Sequence, residues 1–267
     1  MTMETGKTTL PPVRIHGFPA WVREPFRLFD NDIALKAHIR YKDAKSGNEE
    51  AAEILVSELA VDFIVRIRDQ LPANAIFVAP HAREATGDNA IPQILAVASA
   101  LAADGETDTD IVQITRVFHT GADPMERMIL KPEFDGAVTD GANYILVDDV
   151  TSMGCTLAEL SNYIQCAGGI VIAAIVLVNA GRSKHFHPAD NVINKIEKRF
   201  GNEIRELFGI VPVALTANEA NYIIGFRSAD EIRNRMAKAK KETNLRLRSK
   251  GIERQDQISV KQIFTAK

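Results

Sequence analysis

The sequence predicts an α/β protein built on a parallel sheet, and three observations carry that prediction. Short apolar runs recur at residues 75–79, 144–150 and 170–178, the last almost wholly apolar. Segments with helix-opening residues or helical periodicity lie among them. The apolar runs also lack the alternation of a half-exposed strand, so both faces of their sheet should be covered by helices.

The elements follow in order. Residues 1–47 read as irregular, punctuated by Pro11, Pro12, Pro19 and Pro25. Phe18, Trp21, Phe26, Phe29 and Tyr41 give that stretch aromatic groups with which to pack on the rest. Ser46 and Glu49 have capping-box spacing, and Leu55, Leu59, Phe63 and Ile67 then recur on one helical face. Residues 75–79 are the first core strand. Residues 92–103 form a helix with Pro92 in its first turn. Residues 111–117 are read as the second strand, and a long polar connection, 118–143, leads to the third at 144–150. A helix over 156–167, closed by Gly168 and Gly169, precedes the fourth strand at 170–178. Strands and helices in this order give a Rossmann-like core.

Beyond Gly181 the pattern is helical. Residues 193–208 are amphipathic, and Thr216 with Glu219 and Ser228 with Glu231 open two further helices. The last carries Arg233, Arg235, Lys238, Lys240, Lys241, Arg246, Arg248 and Lys250. The division is an N-terminal segment (1–47) that could serve as a hood, an α/β core (48–182) and a helical C-terminal region (183–267).

Composition bounds the function classes. A chain of 267 residues with 46 % hydrophobic and 25 % charged residues can bury a sizeable core. The net charge of -3 gives no general attraction to nucleic acid or anionic lipid, so the basic final helix is read as a solvated face or an oligomer contact. Two cysteines, Cys155 and Cys166, make no disulfide framework. No apolar run approaches the roughly 20 residues of a membrane span. The polar N-terminus lacks a signal-peptide centre, and the expected location is the cytoplasm. His185 and His187 flank Phe186 with no cysteine or acidic cluster at ligand spacing, which suits a surface turn better than a zinc site.

Chemistry concentrates in residues 145–156, ILVDDVTSMGCT. A buried strand ends in Asp148 and Asp149, a small polar loop follows, and a helix begins. Ligands of open α/β sheets bind at the carboxyl ends of strands. The helix N-terminus offers N–H groups and a positive dipole end to a phosphate. Thr151, Ser152 and Thr156 add hydroxyls, and Gly154 lets the backbone approach closely. Two carboxylates do not suit the anion itself. They suit the hydroxyls of a sugar that carries it, with a divalent cation nearby.

This segment resembles the 5-phosphoribosyl 1-pyrophosphate (PRPP) signature of type I phosphoribosyltransferases. The resemblance implies that Asp148 and Asp149 contact the ribose hydroxyls and that Thr151, Ser152, Met153, Gly154, Cys155 and Thr156 form the 5-phosphate loop. Met153 stands where a hydroxyl residue is usual, and Cys155 where a second glycine is common. The resemblance covers about residues 48–182 and places the pyrophosphate on the loop after the first core strand. That loop (79–89, APHAREATGDN) supplies His81, Ala82 and Arg83, with Thr86 and Gly87 beyond. A long mobile lid is expected between the second and third strands. Residues 116–136 stand there and carry Arg116, His119, Arg127 and Lys131, of which Arg116, His119 and Lys131 are the catalytic candidates beside the acidic pair.

The family resemblance further implies Mg2+, held through the ligand and by Asp148 or Asp149, a homodimer, and a place in nucleotide metabolism or salvage. The expected reaction transfers phosphoribose to a nucleobase or other nitrogen nucleophile. The acceptor is unnamed by any motif in the chain. The alternative is a non-catalytic PRPP-binding regulatory or interaction protein.

Overall fold

The computed structural model describes residues 13–81, 83–84, 87–115 and 121–249. Its first elements lie in the stretch that reads as irregular: strand β1 (Phe26–Phe29) and the short helices α1 (Ile33–Ala37) and α2 (Tyr41–Lys45). Helix α3 (Glu49–Ile67) follows, and its cap is Asn48, whose side chain accepts from Ala51 N. Ser46 instead turns back on α2, its hydroxyl donating to the Asp43 carbonyl. An asparagine beside the helix start competes well for the cap, which explains the shift from the expected Ser46–Glu49 box.

Strand β2 (Ile76–Val78) leads into a small antiparallel ribbon, β3 (Arg83–Glu84) with β4 (Gly87–Asp88). Helix α4 (Ile91–Ala102) comes next, with proline in its first turn. The strand after it is β5 (Glu106–Asp108), not the apolar run at 111–117. Within that run β6 (Val112–Gln113) pairs antiparallel with β7 (Phe134–Asp135), and Ile111 is buried on the core. Helix α5 (Pro124–Ile129) stands between those two partners. β5 is an edge strand with two exposed residues, so it needs no apolar pattern.

The centre of the molecule is β8 (Asn143–Thr151), α6 (Cys155–Cys166) and β9 (Ile170–Asn179). Helices α7 (Asp190–Phe200), α8 (Glu203–Phe208), α9 (Ala217–Ile223) and α10 (Ala229–Ser249) complete the C-terminal region. No described helix is long and apolar enough to cross a membrane.

The five-stranded sheet is parallel throughout, in the order β1-β9-β8-β2-β5. Successive residues of β8 face opposite layers. Ile145 and Val147 pack with Phe77, Ile175 and the helices α3 and α4, whereas Tyr144 and Leu146 pack with Val176 and the α6 residues Leu157, Leu160 and Ile164. Burial on both sides accounts for the unbroken apolar run, each large aliphatic side chain contributing about 1.5–3 kcal/mol. A third cluster joins α5 to α7, α8, α9 and α10 through Met125, Met128, Ile196, Ile204, Ile223 and Ile232.

Topology marks one place for a ligand. From β2 the chain passes through α4 to β5 on one side, and from β8 through α6 to β9 on the other. β2 and β8 are neighbours, with Val78 opposite Leu146. Their carboxyl ends therefore flank the switch point, where helices on opposite faces diverge and leave a crevice.

Candidate functional site at the carboxyl end of β8

The acidic pair is the end of that crevice. Asp149 is 3 % exposed, and the Lys45 ammonium at the end of α2 lies 2.9 Å from its Oδ2. α2 reaches this point because its end is wedged against the segment before α4. Ala90 N donates to the Ala44 carbonyl at 3.1 Å, and a Cβ on Gly47 would come within 2.8 Å of the Asp88 carbonyl oxygen.

The two carboxyls have opposite proton affinities. Burial and the neighbouring Asp149 charge hold Asp148 well above the ordinary carboxylate value. Burial pushes Asp149 the same way, but the Lys45 charge and hydrogen bonds from Lys45 and Asn89 outweigh it and hold Asp149 below that value. Asn89 is itself 4 % exposed, just ahead of α4. Lys45 thus favours the ionised form of Asp149, and that charge disfavours ionisation of Asp148.

Beyond the pair the chain turns into α6. Gly154 is its N-cap with φ +79°, a left-handed conformation that favours glycine. No side chain caps the helix there, so its first N–H groups face the cleft. Asp148, Val150, Thr151, Ser152, Met153, Gly154, Cys155 and Thr156 line one cleft together with Arg127 from α5.

The loop is braced from behind by α9. Thr216 Oγ1 donates to the Met153 carbonyl at 2.6 Å, and Asn218 Nδ2 donates to the Ser152 carbonyl at 3.0 Å. Thr216 is also the N-cap of α9, in a capping box with Glu219. Glu219 in turn meets the fully buried Arg14 at 2.6 Å, and Arg14 lies 3.6 Å from Glu159 of α6. A chain of polar contacts therefore runs from the N-terminal segment to the back of the loop.

Met153 and Cys155, the two unusual loop residues, are explained by this support. Both pack toward the third core cluster. Burial, aided by the Glu219 charge and opposed by Arg14, pushes the Cys155 thiol well up, so it is a core group and not a reactive thiolate. The loop presents backbone and hydroxyl groups to the cleft, while these two side chains anchor it.

The other expected site residues are described only in part. His81 is exposed just past the end of β2, beside the acidic strand. Arg83 belongs to β3. Ala82, Thr86, Arg116 and His119 lie outside the described residues. Lys131 does not join the cleft-lining group. Its ammonium is 3.3 Å from Glu159 and donates to the Gly209 carbonyl at 3.2 Å, joining the Arg14 cluster. A buried carboxylate such as Glu159 holds a nearby cation more strongly than an open cleft does.

The expected lid also differs. Residues 121–136 are organised around α5, whose capping box of Asp123 and Glu126 has its own ties to α10. Sequence reading did not assign Lys45, Asn89, Thr216 or Asn218 to the site, and it gave Arg127 only as one cation of the lid. An Asp-Pro-x-Glu capping box at 123–126 was the one local signal for α5.

No protein-family model matches the chain. "Protein TraN" of Escherichia coli is 35 % identical over 208 residues, which cover 76 % of this chain and 46 % of that protein. An uncharacterized protein of Haemophilus influenzae is 38 % identical over 130 residues, 48 % of this chain and 29 % of that one. The chain thus spans less than half the length of either relative. Among solved structures, adenine phosphoribosyltransferase of Leishmania donovani is similar at TM-score 0.35 and 12 % identity, covering 73 % of this chain and 87 % of its own. The Thermoanaerobacter pseudethanolicus enzyme is similar at TM-score 0.31 and 14 % identity, covering 49 % and 85 %.

Proposed function

We propose that the cleft holds a phosphorylated ribose and that the protein is a phosphoribosyltransferase acting on PRPP. One observation carries the reading. An acidic pair at the sheet's switch point runs directly into an uncapped helix N-terminus, and Asp148 of that pair lines the same crevice as the helix start. Carboxylates recognise ribose hydroxyls by accepting their hydrogen bonds, and the turn beyond them binds the 5-phosphate through N–H groups and the helix dipole.

In the proposed reaction a nitrogen nucleophile forms a bond to C1 of the ribose. The bond from C1 to the pyrophosphate oxygen breaks, and pyrophosphate leaves with that electron pair. Asp148 and Asp149 orient the sugar and favour the positive charge that develops at C1. His81 and Arg83, which follow β2 in the chain, are the candidates for holding the pyrophosphate, with Arg116 and His119 as further ones.

Mg2+ would supply charge neutralisation to the pyrophosphate. Lys45 already stands against Asp149, and the described residues contain no group of three acidic, histidine or cysteine side chains poised around a metal. The donor set therefore fits a cation carried by the ligand, which Asp148 would help to hold.

The second reading, a PRPP-binding regulator without catalysis, is favoured by the anchoring of α5. A segment tied to α10 is less suited to closing over a reacting centre than a free lid.

Calorimetric titration with PRPP, with and without Mg2+, tests the ligand. The full chain should bind it, and Asp148→Asn/Asp149→Asn together should weaken binding at least tenfold. Absence of binding by the wild type, or full binding by the double variant, rejects the site. Pyrophosphate release across purines, pyrimidines and simple amines then separates enzyme from regulator.

A further inference from the structure

We propose that Arg127 is a direct phosphate ligand of the cleft and that helix α10 is the strut that holds it there. This rests on the reading of the loop at 151–156 as a phosphate site.

Arg127 lines the cleft with the loop residues, although it is remote from them in sequence. Its Nε donates to the Ala122 carbonyl at 3.1 Å, which fixes the root of the guanidinium against the start of α5. A guanidinium can present two parallel N–H groups to a phosphate, a geometry that backbone N–H groups at a helix end complement from the other side.

The helix that carries Arg127 has only 6 residues. A helix this short does not persist without tertiary support. Its two capping acids supply that support because each has a second role. Asp123 accepts from Met125 N and Glu126 N inside α5, and its other oxygen meets Arg235 of α10 at 2.6 Å. Glu126, 3 % exposed, accepts from Asp123 N through one oxygen at 2.8 Å. Through the other it accepts from the Thr243 hydroxyl, and Arg246 Nε lies 3.5 Å from that oxygen. Met125 and Met128 are fully buried in the same core cluster as Ile232 and Ala239 of α10.

The position of Arg127 is therefore set by residues 108 to 119 places further along the chain, from Arg235 to Arg246. This also accounts for part of the basic character of α10. Arg235 and Arg246 are partners of the two α5 acids, so the helix is not simply a solvated cationic face.

The test uses the full chain and two probes, ribose 5-phosphate and inorganic phosphate, titrated by calorimetry. Arg127→Met should weaken both about 10- to 100-fold, and Arg127→Lys should recover part of the loss by keeping the charge. Thr243→Val should weaken both about 3- to 10-fold in the wild-type background and have no further effect in Arg127→Met. That non-additivity is what a general structural role of Thr243 would not produce. Should Thr243→Val fail to fold, Arg235→Gln, at a part-exposed pair, takes its place with the same expectation. Unchanged affinity for both probes in Arg127→Met overturns the ligand assignment. An additive effect of Thr243→Val on Arg127→Met overturns the strut. Absence of binding to either probe by the wild type rejects instead the reading of the loop as a phosphate site.

Discussion

At one half of the cleft Asp148 and Asp149 stand side by side, with the Lys45 ammonium 2.9 Å from Asp149. The other half, residues 151–156, carries no ionised side chain and is held from behind by neutral hydrogen bonds from Thr216 and Asn218. The acidic half depends on a balance of three charges contributed by α2 and β8. The loop half depends on backbone geometry, and the buried charges behind it include Arg14, Glu159 and Glu219, a layer further back. The difference separates two failure modes. Changes at the acidic half should alter proton affinity and ligand preference. Changes behind the loop should alter shape and stability.

The largest effect is expected behind the loop. Arg14→Met leaves Glu219 and Glu159 buried without that guanidinium, and it should cost about 3–5 kcal/mol in urea unfolding. A cost below about 1 kcal/mol would show that the brace does not depend on Arg14.

Lys45→Met comes next, at about 2–3 kcal/mol, reduced because the Lys45 side chain is 20 % exposed. Its signature is in the pH dependence. Asp149, held below the ordinary value in the folded protein, adds stability above its unfolded value of about 3.9. That stability is lost as pH falls through the lowered folded value. Removing Lys45 should abolish this acid-side loss, read as urea midpoints between pH 2 and pH 7. An unchanged profile would break the proposed pairing of charge and function at this half.

The smallest effect has the opposite sign. Asp148 is held above its ordinary value, so the folded protein binds more protons than the unfolded chain between those two values, and stability falls as pH rises through that window. Asp148→Asn should therefore stabilise the empty protein at neutral pH by about 1 kcal/mol, or about 2–4 °C in melting midpoint. A decrease in midpoint would mean that the Asp148 carboxylate is stabilising in the free protein.

What could be read from the sequence was what lies in consecutive residues. β8, the acidic pair, the loop and α6 follow one another, so hydropathy and residue type were enough to find them. Tertiary contributions were not legible. Lys45 is separated from Asp149 by 104 positions, and Thr216 from Met153 by 63. Nothing local marks either as a partner. At the sheet edge the polar Glu106–Asp108 strand gave no apolar signal, and the apolar run at 111–117 competed with it successfully on paper. In the protein, Ile111 satisfies the demand for burial without entering the sheet. Cys155 and Met153 read as departures from a ligand loop because sequence alone does not say which side of a turn faces the interior.

Arg14 and Glu219 are separated by 205 positions, and that interval has a consequence for synthesis. The loop is complete once Thr156 has been made, but its rear support waits for residues 216–219. At a translation rate of about 5–20 residues per second, those roughly 60 further residues take about 3–12 s. During that time a nascent chain can assemble β8, α6 and β9 while Arg14 still lacks Glu219. The rear support of the loop is thus a late event on the ribosome, acquired after the sheet that carries the loop.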